Sequence, residues 1–129
     1  MLAVDTNVLV RYLIRDDPDQ TARATKLVRS QAIWVSKTVL LETAWVLTKS
    51  YAYPPERVAQ VFRELLGLPT VSPEDDLTIV QALDWFEQGI DFADALHLAS
   101  SGFTMPFATF DHELIRKSRR LTTPEVIPP

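Results

Sequence analysis

Cysteine is absent from all 129 residues of the chain. That excludes a disulfide framework and a thiolate-held zinc site. Histidine is nearly absent too: His97 and His112 are the only two, so zinc is poorly supported. No apolar run approaches the ~20 residues that a membrane-spanning helix needs. The first residues lack the basic start, apolar stretch and small-residue cleavage site of a signal peptide. A cytoplasmic protein that does not engage a membrane is expected. Positive charge is not in excess either. Thirteen Lys and Arg face 17 Asp and Glu, for a net charge of −4. This argues against a basic nucleic-acid coat. It leaves nucleic acid open as a substrate, because a bound metal supplies its own positive charge.

What is present suits a folded enzyme. Hydrophobic residues make up 47% and charged residues 23%, enough for a real core. The length fits one domain over residues 1–129. There is no internal repeat and no low-complexity segment. Short apolar segments predict strands at Leu2–Val4, Ile33–Val35, around Val71, at Pro106–Asp111 and at Val126–Ile127. The first and fourth read as buried. Helices are predicted between them. The first runs from Asn7 to about Ile14. The second runs from Asp19 to Ser30, with Ala22, Leu27 and Val28 facing inward. Ser36 caps a third that continues to about Ser50 behind the stripe Leu40, Thr43, Ala44, Leu47. Pro54 and Pro55 open a fourth that reaches about Leu66. A fifth starts at Pro73 and ends before Gly89. Asp91–Ser101 and Leu114–Ser118 complete the set. Strands alternating with helices imply a mainly parallel sheet covered on both faces. In such sheets the functional crevice lies beyond the carboxyl ends of the strands.

Four carboxylates stand in or beside apolar sequence: Asp5, Glu42, Asp94 and Asp111. Each alone has an ordinary explanation. Asp5 and Asp111 suit helix caps, and Glu42 and Asp94 suit polar helix faces. Four such acids gathered without a cation would raise one another's pKa and destabilise the fold. A shared divalent ion resolves that conflict. Oxygen donors with little histidine favour Mg2+ or Mn2+. Such an ion can activate water and neutralise a phosphodiester, which points to a nuclease. Thr6 and Asn7 beside Asp5, and Thr109 two residues before Asp111, are placed to support the site. Asp91 either supports Asp94 or caps its helix. Arg11, Arg15 and His112 are candidates to touch substrate. Arg116–Arg120 reads as a solvated helix end or an RNA-backbone contact, and His97 as a satisfied polar residue. Trp34, Trp45 and Trp85 read as core or interface residues. Tyr51 and Tyr53, flanking a break, could cover a partner surface.

The segments "VDTNVLVRYL", "LLETAWVL", "DFADALHLA" and "FATFD", in this order, resemble the successive motifs of PIN-domain ribonucleases, in particular VapC-type toxins. The resemblance covers nearly the whole chain. It implies a three-layer α/β/α sandwich with Asp5, Glu42, Asp94 and Asp111 around a metal site. It implies Mg2+- or Mn2+-dependent cleavage of RNA, a homodimer, and a small antitoxin that blocks the site. Two other readings remain: a different Mg2+-dependent phosphoryl-transfer enzyme, or a non-catalytic interaction module. The first needs an aspartate at position 7 in its phosphatase form, where this chain has Asn7. In its receiver form it needs a late strand-end lysine, where "FATFD" supplies an acid.

Overall fold

The computed structural model describes residues 1–129. Strand β1 (Leu2–Ala3) leads into α1 (Thr6–Leu13) and α2 (Pro18–Ser30). Next come β2 (Ile33–Val35), α3 (Lys37–Tyr51), α4 (Pro55–Leu66) and β3 (Val71–Pro73). These elements make up a first compact unit, Met1–Asp76. Its sheet has the order β1-β2-β3 and is parallel throughout, with Leu2 opposite Ile33 and Ile33 opposite Val71. Parallel strands need long crossovers, and the helix pairs α1–α2 and α3–α4 provide them. The central strand is buried at Ile33 and Val35, whereas β1 at the sheet edge is exposed. The core of this unit gathers Leu9, Val28, Ile33, Leu40, Leu47 and Phe62, all fully buried.

Local chemistry sets the helix boundaries. Asp5, Asp17 and Ser36 accept hydrogen bonds from the N–H groups of Val8, Gln20 and Val39, capping α1, α2 and α3. Pro54 and Pro55 start α4, where their missing N–H groups cost nothing. The α2 face that turns inward carries Ala24 and Val28, one helical turn apart. Ala22, expected to face inward, lies off that stripe and is exposed.

The second unit is Leu77–Pro129. It contains nearly all of α5 (Asp76–Glu87), then α6 (Phe92–Ser101), β4 (Phe107–Ala108), α7 (His112–Ser118) and β5 (Val126–Ile127). Strands β4 and β5 form a separate two-stranded parallel sheet, with Phe107 opposite Val126. Its core centres on Ile79, Leu83, Trp85, Ile90 and Leu98. The rings of Phe86 and Phe92 pack edge to face at 5.4 Å. Gly89 and Gly102 follow α5 and α6 with positive φ, a backbone that glycine adopts without a Cβ penalty.

Three expectations are corrected here. The first strand is not buried: it spans only Leu2–Ala3 at the sheet edge, and both residues are exposed. Pro73 closes β3 opposite Val35 and does not open the next helix. Asp75 takes a left-handed backbone with φ of 54°, so the helix starts only at Asp76. The segment from Pro106 to Asp111 is not a buried strand. Only Phe107 and Ala108 pair, Ala108 is exposed, and Phe110 is 84% exposed.

Candidate active site

In the first unit, Asp5 and Glu42 are brought close through Thr6. Asp5 follows β1 and receives the N–H of Val8 on Oδ1 at 3.2 Å. Thr6, buried at the start of α1, donates its hydroxyl to Glu42 Oε1 in a short hydrogen bond. Glu42 lies on α3 next to the buried Thr43 and is itself exposed. Asn7 is exposed on α1. Thr6 therefore fixes one oxygen of Glu42 and leaves Oε2 for other partners.

In the second unit, Asp91, Asp94 and Asp111 line one small pocket of about 60 Å³, together with Glu113 and Lys117. Asp91 caps α6 by accepting the N–H groups of Ala93 and Asp94 at Oδ2. Asp111 caps α7, accepting from Glu113 and Leu114 at Oδ1. Thr109 accepts the N–H of Asp111 on Oγ1 at 3.0 Å, which holds the turn that carries the carboxylate. Each cap uses one carboxylate oxygen and leaves the second turned to other partners.

Asp94 is the half-buried member of this group, and its carboxyl lies above the usual carboxylate range. Burial is the main cause, followed by the charges of Asp91 and Asp111; His97 and Lys117 pull the other way. In the sequence Lys117 is part of the basic stretch Arg116–Arg120. Its ammonium in fact donates to the Gly89 carbonyl at 2.8 Å and approaches Glu113 at 3.3 Å, on the edge of the acidic pocket. The four-residue spacing from Glu113 on a helix was the available signal. Arg116 also pairs with Glu113, at 3.4 Å, whereas Arg119 and Arg120 are exposed.

The apolar surroundings of the four acids do not bury them. Asp5, Glu42 and Asp111 are exposed, and only Asp94 is half-buried. All four sit at element starts or on helix flanks, where one turn of backbone carries them past the core. No group of three or more Asp, Glu or His side chains is arranged to hold a metal ion. The donor chemistry nevertheless fits a hard divalent cation. The pocket offers carboxylate oxygens and no sulfur or imidazole, and the raised Asp94 marks negative charge that a cation would offset.

Among the substrate candidates, Arg11 is the one held in place. Its Nη1 donates to Asp16 Oδ1 at 2.8 Å, and the Tyr51 hydroxyl donates to Asp16 Oδ2 at 3.2 Å. The Asp16 hydrogen bond is the main cause that raises Arg11 above its ordinary value. Desolvation would push Asp16 up, but the bonds from Tyr51 and Arg11 outweigh it and hold its carboxyl low. The sequence gives Asp16 no role and Tyr51 only a place on a partner surface; their bond joins positions 35 residues apart. Arg15 is exposed in the left-handed region with φ of 51°. His112 and His97 are exposed on α7 and α6. Trp85 is buried against Phe103, Trp34 is half-buried, and Trp45 is 60% exposed. Tyr53 carries the guanidinium of Arg57 over its ring at 5.1 Å.

Parallel strands joined by helices, with carboxylates at the turns that follow them, define an α/β protein with an acidic site. The PIN-domain family model matches residues 2–120, and the chain belongs to the PIN-domain family. A similar solved structure is that of Mycobacterium tuberculosis VapC20, described as a sarcin-ricin loop cleaving toxin. It is 24% identical, the match covers 78% of this chain and 80% of that chain, and the TM-score is 0.45. No curated protein matches the chain.

Proposed function

We propose that this PIN-domain protein is a Mg2+- or Mn2+-dependent endoribonuclease, and that it is the VapC-type toxin of a toxin–antitoxin pair. In this reading residues 1–129 act as one PIN domain, work as a homodimer in the cytoplasm, and are silenced by a small cognate antitoxin. The observation that carries it is the acidic pocket of Asp91, Asp94 and Asp111 on a chain of this family.

In this reading Asp5, Glu42, Asp94 and Asp111 are the residues that would hold the ion. When bound, the ion supplies positive charge that lowers the pKa of water and offsets charge building on the phosphodiester. The remaining work falls to the protein. Asp111 and Asp5 are oriented by the backbone N–H groups they cap. Glu42, held by Thr6 at Oε1, offers Oε2 to take a proton from the attacking water. Thr109 stiffens the turn that carries Asp111, and Asn7 stands exposed beside Asp5.

The test is cleavage of a mixed RNA pool by the purified protein, with ends mapped by sequencing. Mg2+ or Mn2+ should support cutting and EDTA should stop it. Asp94→Asn should fold normally and cut nothing. If Asp94→Asn cuts as fast as the parent, the assignment of the site is wrong. If the parent neither binds Mn2+ nor cuts RNA, the chain is a non-catalytic interaction module.

A further inference from the structure

A second cavity, of about 350 Å³, opens between α1 and α2 in the first unit, a volume at the low end for small-molecule sites. Its apolar wall is Val8, Ala24 and Leu27; its polar groups are Asn7, Arg11, Gln20 and Arg23. Two features decide what it can hold. The first is charge. Arg11 is bonded to Asp16, and Arg23 stands 4.0 Å from Asp19, so the two cations are offset by two neighbouring anions. A free phosphate gains little there. A flat, neutral group with acceptors on its edge gains more. The second is geometry. Asp16, itself held by Tyr51, fixes one Nη1 hydrogen of Arg11, and the guanidinium keeps further N–H donors in a rigid plane. Arginine has no acceptor, so it discriminates between purines. Guanine presents two acceptors, O6 and N7, on one edge; adenine pairs an acceptor with a donor. Asn7 and Gln20 add primary amides, which donate and accept, for the other base edges.

We propose that this pocket binds a guanine base of the RNA substrate, with Arg11 reading O6 and N7 and Val8, Ala24 and Leu27 covering the ring. Asp16 and Tyr51 are then positioning residues that act through Arg11. The proposal rests on the ribonuclease reading and extends it to base selection. The pocket starts beside the proposed centre, since Asn7 and Val8 line it and the Val8 N–H caps onto Asp5.

The test does not depend on catalysis. Guanosine, adenosine, cytidine and uridine 5′-monophosphates, and inorganic phosphate, are titrated separately into isotope-labelled protein while backbone amide shifts are followed. Guanosine monophosphate should shift the amides of Val8, Arg11, Ala24 and Leu27. Its half-saturation should fall roughly fivefold or more below that of the other nucleotides, the low end of what one bidentate base contact gives. Inorganic phosphate should leave these amides in place. Arg11→Lys, which keeps the charge but not the fork, should abolish the preference. Asp16→Asn should reduce the guanosine-to-adenosine ratio; a purely electrostatic role would instead tighten all four nucleotides together. Equal affinity for the four, shifts reproduced by phosphate, or an unchanged ratio in Arg11→Lys would each overturn the proposal. Silence with every nucleotide would overturn it as well and leave the pocket to a protein segment. Selective guanosine binding by a protein that cuts no RNA would instead sink the ribonuclease reading and leave this pocket standing.

Discussion

Asp94 lies one helical turn from Asp91 and shares a pocket with Asp111, so its charge has like neighbours. The folded chain therefore holds a proton there more tightly than the unfolded chain does. The stability tied to this group is complete in acid, below the ordinary value of 3.8, and is lost as pH rises through the raised value. At neutral pH the ionised carboxylate is a net cost, kept small by solvent screening. Asp94→Asn should raise Tm by about 2 °C in EDTA, corresponding to roughly 0.5 kcal/mol for a like-charged pair on a helix. Saturating Mn2+ should then raise the parent's Tm and leave the variant's unchanged. Calorimetry at pH 7 checks both; a variant less stable than the parent in EDTA would contradict the repulsion. At Asp5 the cap and the proposed role can be separated in a similar way. Asparagine caps as well as aspartate, whereas alanine loses the cap at about 1 kcal/mol. Asp5→Asn should silence RNA cleavage at an unchanged Tm, and Asp5→Ala should lower both.

At the scale of elements, α3 ends on a residue in an unfavourable conformation. Ala52 sits in the left-handed region, φ 55° and ψ 33°, with its N–H bonded to the Leu47 carbonyl. Glycine adopts this geometry without a Cβ penalty, which outweighs its greater freedom in the unfolded chain. Ala52→Gly should stabilise the protein by about 0.5 kcal/mol, read as a shifted urea midpoint at constant slope. Signals carried by a few neighbouring residues were legible in the sequence: the Ser36 cap, the Pro54–Pro55 start, the buried stripe from Leu40 to Leu47 and the strand at Ile33–Val35. So were the caps at Asp5 and Asp111. Pro73 misled because proline suits a helix start equally well in isolation. Only the pairing partner Val35, 38 positions away, makes it a strand end. The same limit hid the bond between Tyr51 and Asp16, which depends on α1 and α3 packing together. Apolar neighbours in sequence do not bury Asp5 or Glu42, because Asp5 lies in the turn that caps α1 and Glu42 on the exposed side of α3.

Across the whole molecule, cations are few and several are committed. Arg11, Lys37, Arg116 and Lys117 each pair with a carboxylate. With a net charge of −4, little of any RNA affinity can come from displacing counterions. Binding of labelled single-stranded RNA by Asp5→Asn should weaken by less than about tenfold between 50 and 200 mM salt, as for roughly two neutralised phosphates. A fall of about a thousandfold would show a basic surface that the ion pairs conceal. The β4–β5 pairing has a consequence in time. The Thr109 N–H, just after β4, is bonded to the Ile127 carbonyl, in a strand made later than Asp111. On a chain still leaving the ribosome, the turn that carries Asp111 has no strand to rest on until residues 126–127 emerge. The turn at Asp111 thus gains this backbone bond only late in translation.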